Sequence, residues 1–332
     1  GYFEELIRKY LLENPHGCIM TLVPKKGLAA QREKELEEKL EAYRSSLSEE
    51  QLDAMVEKTK ALEAYQEAGE DPKALECIPM LKRSDIKREA AKIINEELTV
   101  DDSLFLYHDV CTNGIGYVDL MFKTDSIAPE QIPYLGLLKS VLGYVDTENY
   151  TYGELFNEIN ANTGGINCGV EVFDRADSTE EFQAMFSVRG KALYTKMDFL
   201  FKMIGEILNS SKLEDTKRLY EIVASVKSRA QVNLTGAGHS TAVLRAAAYS
   251  SPMAAFQDEM AGIGYYQFIE KLEKDFEQRK EETVEELCKL MKKILRPENF
   301  MISYTGERES LETVQKLAGT VKAGLGTEPV EK

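Results

Sequence analysis

Leu104-Phe105-Leu106-Tyr107-His108-Asp109-Val110, then Asn113-Gly114, then Gly116-Tyr117-Val118-Asp119-Leu120-Met121-Phe122 is the stretch that decides the fold. Two β-prone runs flank an Asn-Gly pair, which tolerates the positive φ of a tight hairpin turn. Side chains alternate along a strand, so Val118, Leu120 and Phe122 share one face while Tyr117, Asp119 and Lys123 share the other. The first trio is predicted buried; a one-residue slip would exchange the faces.

Working outward, 129–143 reads as a helix opened by Pro129-Glu130, and Thr151-Tyr152-Gly153-Glu154 is a capping box for a second helix. Asn162-Thr163-Gly164-Gly165 stops that helix. Strands follow near 166–173 and 181–189 around a polar turn at 174–179. Helices are predicted near 194–210, 215–233, 240–249, 265–274 and 281–295, and a closing strand at 299–305. Hairpins precede helices and short turns join the strands. The fold class is therefore α+β, with an antiparallel sheet covered by helices on one face.

The segment 29–68 is different in kind. Leu36, Leu40, Tyr43 and Leu47 form one stripe at helical spacing, and Leu52, Met55, Val56, Thr59 and Leu62 a second, in a strongly charged background. Ser48-Glu49-Glu50-Gln51 is a capping box between them. Two helices of about 30 Å each are predicted to fold back as an antiparallel hairpin on this inner stripe. Gly69-Glu70-Asp71-Pro72 ends the second helix, and 73–100 reads as an irregular connector.

One phrase is written twice. Leu6-Ile7-Arg8-Lys9-Tyr10-Leu11-Leu12 runs into Asn14-Pro15-His16 and the β-prone Cys18-Ile19-Met20-Thr21-Leu22-Val23. Leu290-Met291-Lys292-Lys293-Ile294-Leu295 runs into Arg296-Pro297-Glu298-Asn299 and Phe300-Met301-Ile302-Ser303-Tyr304. In each copy a proline ends an amphipathic helix ahead of a short apolar strand. The expected organisation is 1–26 as the last helix and strand of a preceding domain, 27–100 as helical hairpin and connector, and 101–332 as an αβ domain. The chain then reads as a piece of a larger protein built from repeated domains.

Composition bounds the function. An apolar fraction of 43% over 332 residues supports a substantial core. A net charge of −16 opposes nucleic acid, which needs a basic footprint. No apolar run approaches the roughly 20 residues of a membrane span. Cys18, Cys77, Cys111, Cys168 and Cys288 lack any C-x-x-C spacing and read as reduced thiols, which places the protein in the cytoplasm first, with mitochondria and plastids compatible.

Candidates for chemistry are sparse. His16, His108 and His239 are far apart and none has a His, Cys or Glu partner at metal spacing on a shared helix. Thr235-Gly236-Ala237-Gly238-His239-Ser240-Thr241 lacks the lysine and glycine spacing of a phosphate loop, so it reads as an interhelical joint with Ser240 or Thr241 as N-cap. Cys111 and Cys168 read as small core residues with no neighbouring base. No catalytic, metal-binding or cofactor-binding residue is assigned.

Glu13-Asn14-Pro15-His16, Leu47-Ser48-Glu49-Glu50-Gln51-Leu52, Ser84-Asp85-Ile86, Thr112-Asn113-Gly114-Ile115 before Tyr117-Val118-Asp119-Leu120, Thr163-Gly164-Gly165-Ile166, and Gly238-His239 followed by Arg245-Ala246 form an ordered series. From about Leu6 to about Arg308 it resembles the presequence-protease branch of the pitrilysin/insulinase zinc metallopeptidases. That resemblance implies four homologous αβ domains in two halves, joined by a helical hairpin and closing around a peptide. It implies that this chain holds the tail of the second domain, the hairpin and the non-catalytic third domain. It also places the zinc on an inverted H-x-x-E-H helix of the absent first domain. The equivalent helix here carries Tyr134-Leu135-Gly136-Leu137-Leu138, without ligand or base, and Glu221 falls roughly where the distant glutamate ligand would lie. The implied partners are the catalytic half of the same polypeptide and peptide substrates. A reading of a different class is a peptide-binding or scaffold module of this fold whose parent protein has no peptidase activity.

Overall fold

The computed structural model describes residues 1–178 and 180–327 and divides the chain into two units, Gly1–Ala90 and Ala91–Lys332. The first unit is helical. Its elements are α1 (Tyr2–Ile7), continued by one π-helical stretch at Arg8–Leu12, α2 (Leu28–Ser46), α3 (Glu49–Glu67) and the single turn α4 (Pro72–Leu75). The capping box forms as expected: Gln51 N donates to Ser48 Oγ at 3.3 Å and Ser48 N to Gln51 Oε1 at 2.9 Å. No residue of α2 or α3 is buried, however, and Leu36, Leu40 and Val56 stay about half exposed. The expected inner stripe is thus not a packed seam. One apolar residue per turn, among this many charges, offers too little area to close one.

The first copy of the repeated phrase departs from expectation too. After Pro15 no strand forms, and Ile19 is 99% exposed. A strand is completed by hydrogen bonds to a neighbour, and 18–23 has none within its unit.

The second unit carries the sheet. Its strands are β1 (Glu96–Val100), β2 (Ser103–Asp109), β3 (Ile115–Lys123), β4 (Ile166–Asp174), β5 (Phe182–Leu193) and β6 (Phe300–Gly306). They lie in the order β1-β2-β6-β3-β5-β4. All pairs are antiparallel except β2 with β6. The helices are α5 (Ile132–Val141), α6 (Tyr152–Asn162), α7 (Met197–Ser210), α8 (Thr216–Gly236), α9 (Gly238–Ala247), α10 (Pro252–Ala261), α11 (Ile263–Lys274), α12 (Phe276–Ile294) and α13 (Leu311–Ala323).

The face assignment holds. Val118, Leu120 and Phe122 are 3%, 0% and 0% exposed, against Tyr117 and Lys123 in solvent. With Phe105, Tyr107, Phe186, Val188, Phe300, Ile302 and Tyr304 they make one apolar sheet face, which joins the inner sides of the helices in a single core.

Three details differ from the reading of the sequence. The connector 73–100 contains β1, which turns into β2 through Asp101 and Asp102, both with positive φ (45° and 63°). This is a two-residue hairpin loop built on Asp-Asp, where Asn-Gly or Asp-Gly would have announced it. The Asn113-Gly114 turn forms (φ 54° and 81°), yet its arms splay and β6 enters between β2 and β3. The closing strand therefore runs parallel to β2, making the sheet mixed. Finally, α10 and α13 are additional to the predicted helices, and α9 begins at Gly238 after Ala237, so neither Ser240 nor Thr241 caps it.

Candidate functional site

The helix that the resemblance sets against H-x-x-E-H is α5, and it is a core helix. Tyr134, Leu135, Leu137 and Leu138 are all buried. Gly136 lies under α10 and α11: an added Cβ would stand 2.5 Å from the Met260 carbonyl oxygen and 2.7 Å from the Tyr265 ring. Tyr134 is the one polar member, and its hydroxyl accepts from Arg279 Nη2 at 2.9 Å. A zinc site there would need imidazole and carboxylate donors facing a cleft. These residues do not fit one.

The other chemical candidates remain apart. Glu221 pairs with Arg218 at 2.9 Å on the surface of α8. His16 and His239 are exposed, and His108 lies between the Ile94 carbonyl oxygen (2.7 Å) and Ser303 Oγ (3.1 Å). Among the described residues no three His, Cys, Asp or Glu side chains gather as a metal site. Burial pushes the Cys168 thiol up to about 12, which removes it as a nucleophile near neutrality, and Cys111 is exposed, contrary to the core role read for it.

Two motifs of the resemblance prove structural. Arg245 reaches Asp258 at 2.5 Å, and the Asp258 carboxylate also accepts from Ile263 N and Gly264 N at 3.1 Å each, so it caps α11. At the Thr112-Asn113-Gly114 turn the Glu307 carboxylate accepts from Thr112 N (3.2 Å), Gly114 N (3.3 Å) and the Tyr194 hydroxyl. Those donors, the Tyr194 hydroxyl first, hold the Glu307 carboxyl down at about 2. The carboxylate pins the splayed turn to the end of β6.

What remains as a site is the sheet's second face and the free edge of β4. On the face, Arg189 of β5 bridges Asp119 of β3 (2.7 Å) and Glu171 of β4 (3.1 Å). Burial raises the Asp119 carboxyl above its ordinary value in spite of Arg189, and its Oδ1 is buried without a partner. A shallow groove of about 310 Å³ lies over this triad, with Gly164, Gly165 and Lys191 at one side. At the edge, a larger groove of about 580 Å³ follows 165–171 continuously and is walled by α5, α6 and α8. Lys139 and Arg229 line it. No sequence signal pointed to them, since each is a single cation on a different helix and only the tertiary fold brings both to one groove. The edge groove holds no nucleophile beside a base; on the face, Ser303 Oγ lies 3.1 Å from His108 Nε2, with no carboxylate on the other ring nitrogen, which faces the Ile94 carbonyl oxygen. Both can bind.

Comparison with known proteins identifies the family. The family model for the domain associated with peptidases of family M16, subfamily C, matches residues 22–272. The chain is 35% identical over 95% of its length to "Protein HypA" of Clostridium perfringens, covering 32% of that protein. It is 28% identical over 95% of its length to "Presequence protease 1, chloroplastic/mitochondrial" of Arabidopsis thaliana, covering 29% of it. The chain thus spans about a third of the length of these curated relatives. A solved structure, "a conserved protein from Enterococcus faecalis V583", superposes with a TM-score of 0.50 at 13% identity, over 69% of this chain and 52% of that one.

Proposed function

The chain belongs to the family of domains associated with M16 peptidases of subfamily C, and on that premise we propose that it is the non-catalytic portion of a zinc-dependent endopeptidase, which encloses and degrades short unstructured peptides. Residues 101–332 would supply chamber wall, and 27–100 the helical hairpin and hinge between two halves. The zinc and its H-x-x-E-H helix would lie in another part of the same polypeptide, the catalytic half that is this chain's main partner. The observation that carries this reading is α5. The helix that the resemblance sets against H-x-x-E-H carries Tyr134, Leu135, Leu137 and Leu138, all buried. A domain with packing where ligands would stand is suited to be a wall.

The sheet supports the same role. On the face opposite the main core, Met121, Met185 and Ser187 are buried, while Asp119, Glu171, Arg189 and Lys191 line or border a polar groove, as part of a surface facing a water-filled chamber would. No helix among the described residues is long and apolar enough to cross a membrane, and the charge of −16 opposes a nucleic-acid partner. The five cysteines are unpaired, which favours a reducing compartment, the cytoplasm first.

The test is the full polypeptide, assayed on a short unstructured peptide and on a folded protein. Zinc-dependent cleavage of the peptide alone is expected, lost when 101–332 is deleted while zinc stays bound. Absence of peptide cleavage by the full polypeptide, or undiminished cleavage after the deletion, would refute the proposal.

A further inference from the structure

β4 is the last strand of the sheet, so alternate N–H and C=O groups along it point outward without a ladder partner. Natural edge strands are usually blunted by bulges, prolines or a covering element. This one runs nine residues without bulge or proline and, although α5 and α10 pack against it, borders an open groove of about 580 Å³ over six consecutive positions, 166–171.

The groove is chemically one-sided. The charged side chains along it are Lys139, Glu171 and Arg229. Glu171 is paired with Arg189 at 3.1 Å, a guanidinium it shares with Asp119, and it also acts on Lys139 through space, so the groove's balance is two cations against one partly compensated carboxylate. Lys139 and Arg229 have no hydrogen-bond or ion-pair partner among the described residues, although the chain carries an excess of sixteen acidic charges with which to pair them. Lys139, on α5, is half-buried, and burial lowers its pKa from the ordinary lysine value. Behind the groove, outside its lining, Tyr265 is 5% exposed and its hydroxyl faces Ser140. An ammonium and a guanidinium can only donate. A carboxylate, which only accepts, is the group that satisfies them.

We propose that this groove binds an extended acidic peptide segment, which adds to the sheet as a seventh strand on β4 and sets a Glu or Asp side chain against Lys139 and Arg229. Main-chain pairing supplies register and the two cations select the acidic residue. The inference rests on the reading that the parent protein handles peptides, and it assigns to the non-catalytic domain a place where such a peptide is held.

The experiment uses the 332-residue chain and a fluorescein-labelled peptide of roughly eight residues, about one strand long. The peptide is free of proline, blocked at both ends, and carries one central Glu; partners carry Gln at that position or N-methyl groups at alternate residues. Fluorescence anisotropy is expected to show the Glu peptide binding about tenfold more tightly than the Gln peptide, the scale of a charge-assisted hydrogen bond. Lys139→Met keeps the aliphatic stem and should bring the Glu peptide to the level of the Gln peptide, leaving the latter unchanged. Arg229→Gln, at an exposed position, should do the same in part, and serves where Lys139→Met alters the melting profile. N-methylation should abolish both complexes. Equal affinity for Glu and Gln peptides, indifference to N-methylation, or no binding would overturn the proposal. A concentration-dependent dimer abolished by Lys139→Met would overturn it too, by giving the groove to a second copy. If binding fails here while the full polypeptide still cleaves peptides, the groove is wrong and the function stands; an inactive full polypeptide sinks the function whatever binds to β4.

Discussion

The helix–proline–strand phrase is written at both ends of the chain and folds at one. Around Pro297, α12 closes on the core through Leu287, Leu290 and Ile294, and Phe300–Gly306 enters the sheet between β2 and β3. Around Pro15 the helical part forms, but Cys18-Ile19-Met20-Thr21-Leu22-Val23 lies in solvent with no ladder. Local sequence is nearly equivalent in the two places. Helical hydrogen bonds are closed within a segment, whereas a strand must borrow partners from elsewhere, so the same β-prone run becomes a strand only where a sheet receives it.

The comparison breaks if equivalent substitutions have equivalent effects. Ile302→Ala removes a fully buried side chain from the middle of the sheet and should destabilise the second unit by about 2–5 kcal/mol in urea titration. Ile19→Ala should stay within about 0.5 kcal/mol. Comparable losses would mean that 18–23 is paired in solution.

A smaller effect separates packing from propensity. Gly136→Ala improves intrinsic helix propensity in α5, but its Cβ would meet the Met260 carbonyl oxygen at 2.5 Å. A net loss of about 1–3 kcal/mol is expected by thermal melting, since backbone cannot yield as a side-chain tip can. A neutral or stabilising result would show that α5 has room a functional helix could use.

The capping boxes sharpen the contrast between the units. Thr151→Ala and Ser48→Ala each remove one side-chain acceptor and should each cost about 1 kcal/mol of local helix stability. Only Thr151→Ala should lower the cooperative melting of the second unit, because α6 contributes Leu155 and Ile159 to its core while α3 buries nothing. Hydrogen exchange should show Ser48→Ala as fraying confined to α3.

The smallest effect is a pH dependence. The Glu307 carboxyl is held at about 2, below the unfolded carboxylate value near 4.3. A depressed folded pKa stabilises above the unfolded pKa, and that contribution is lost as pH falls from roughly 4.5 toward 2. Glu307→Gln should flatten the stability profile in that window relative to the unsubstituted protein. An unchanged slope would mean that the carboxylate does not pin the Asn113-Gly114 turn.

Much of the fold was legible because its signals were periodic or local. The alternation through 117–123 placed the core face, and Thr151 with Glu154 placed the start of α6. What escaped was set by contacts distant in sequence. The insertion of β6 beside β2 pairs Phe105 with Ile302, about two hundred residues away, and no local pattern announces that. β1 escaped because its turn uses Asp101-Asp102. For the site, the absence of ligand residues at Tyr134–Leu138 could be read directly, since it is a statement about residue types. The cations of the edge groove could not, since Lys139 and Arg229 meet only after α5 and α8 have packed on the core.

That this domain carries no zinc chemistry of its own and supplies architecture alone is the core of the proposed function. It is tested most directly by metal analysis of the purified 332-residue chain, stripped with chelator and reloaded with zinc, alongside a fluorogenic peptide assay. We predict no stoichiometric zinc and no chelator-sensitive cleavage, because α5 offers Tyr134, Leu135, Gly136, Leu137 and Leu138 where ligands and a base would have to stand. One tightly bound zinc per chain, together with cleavage that chelator abolishes, would contradict it.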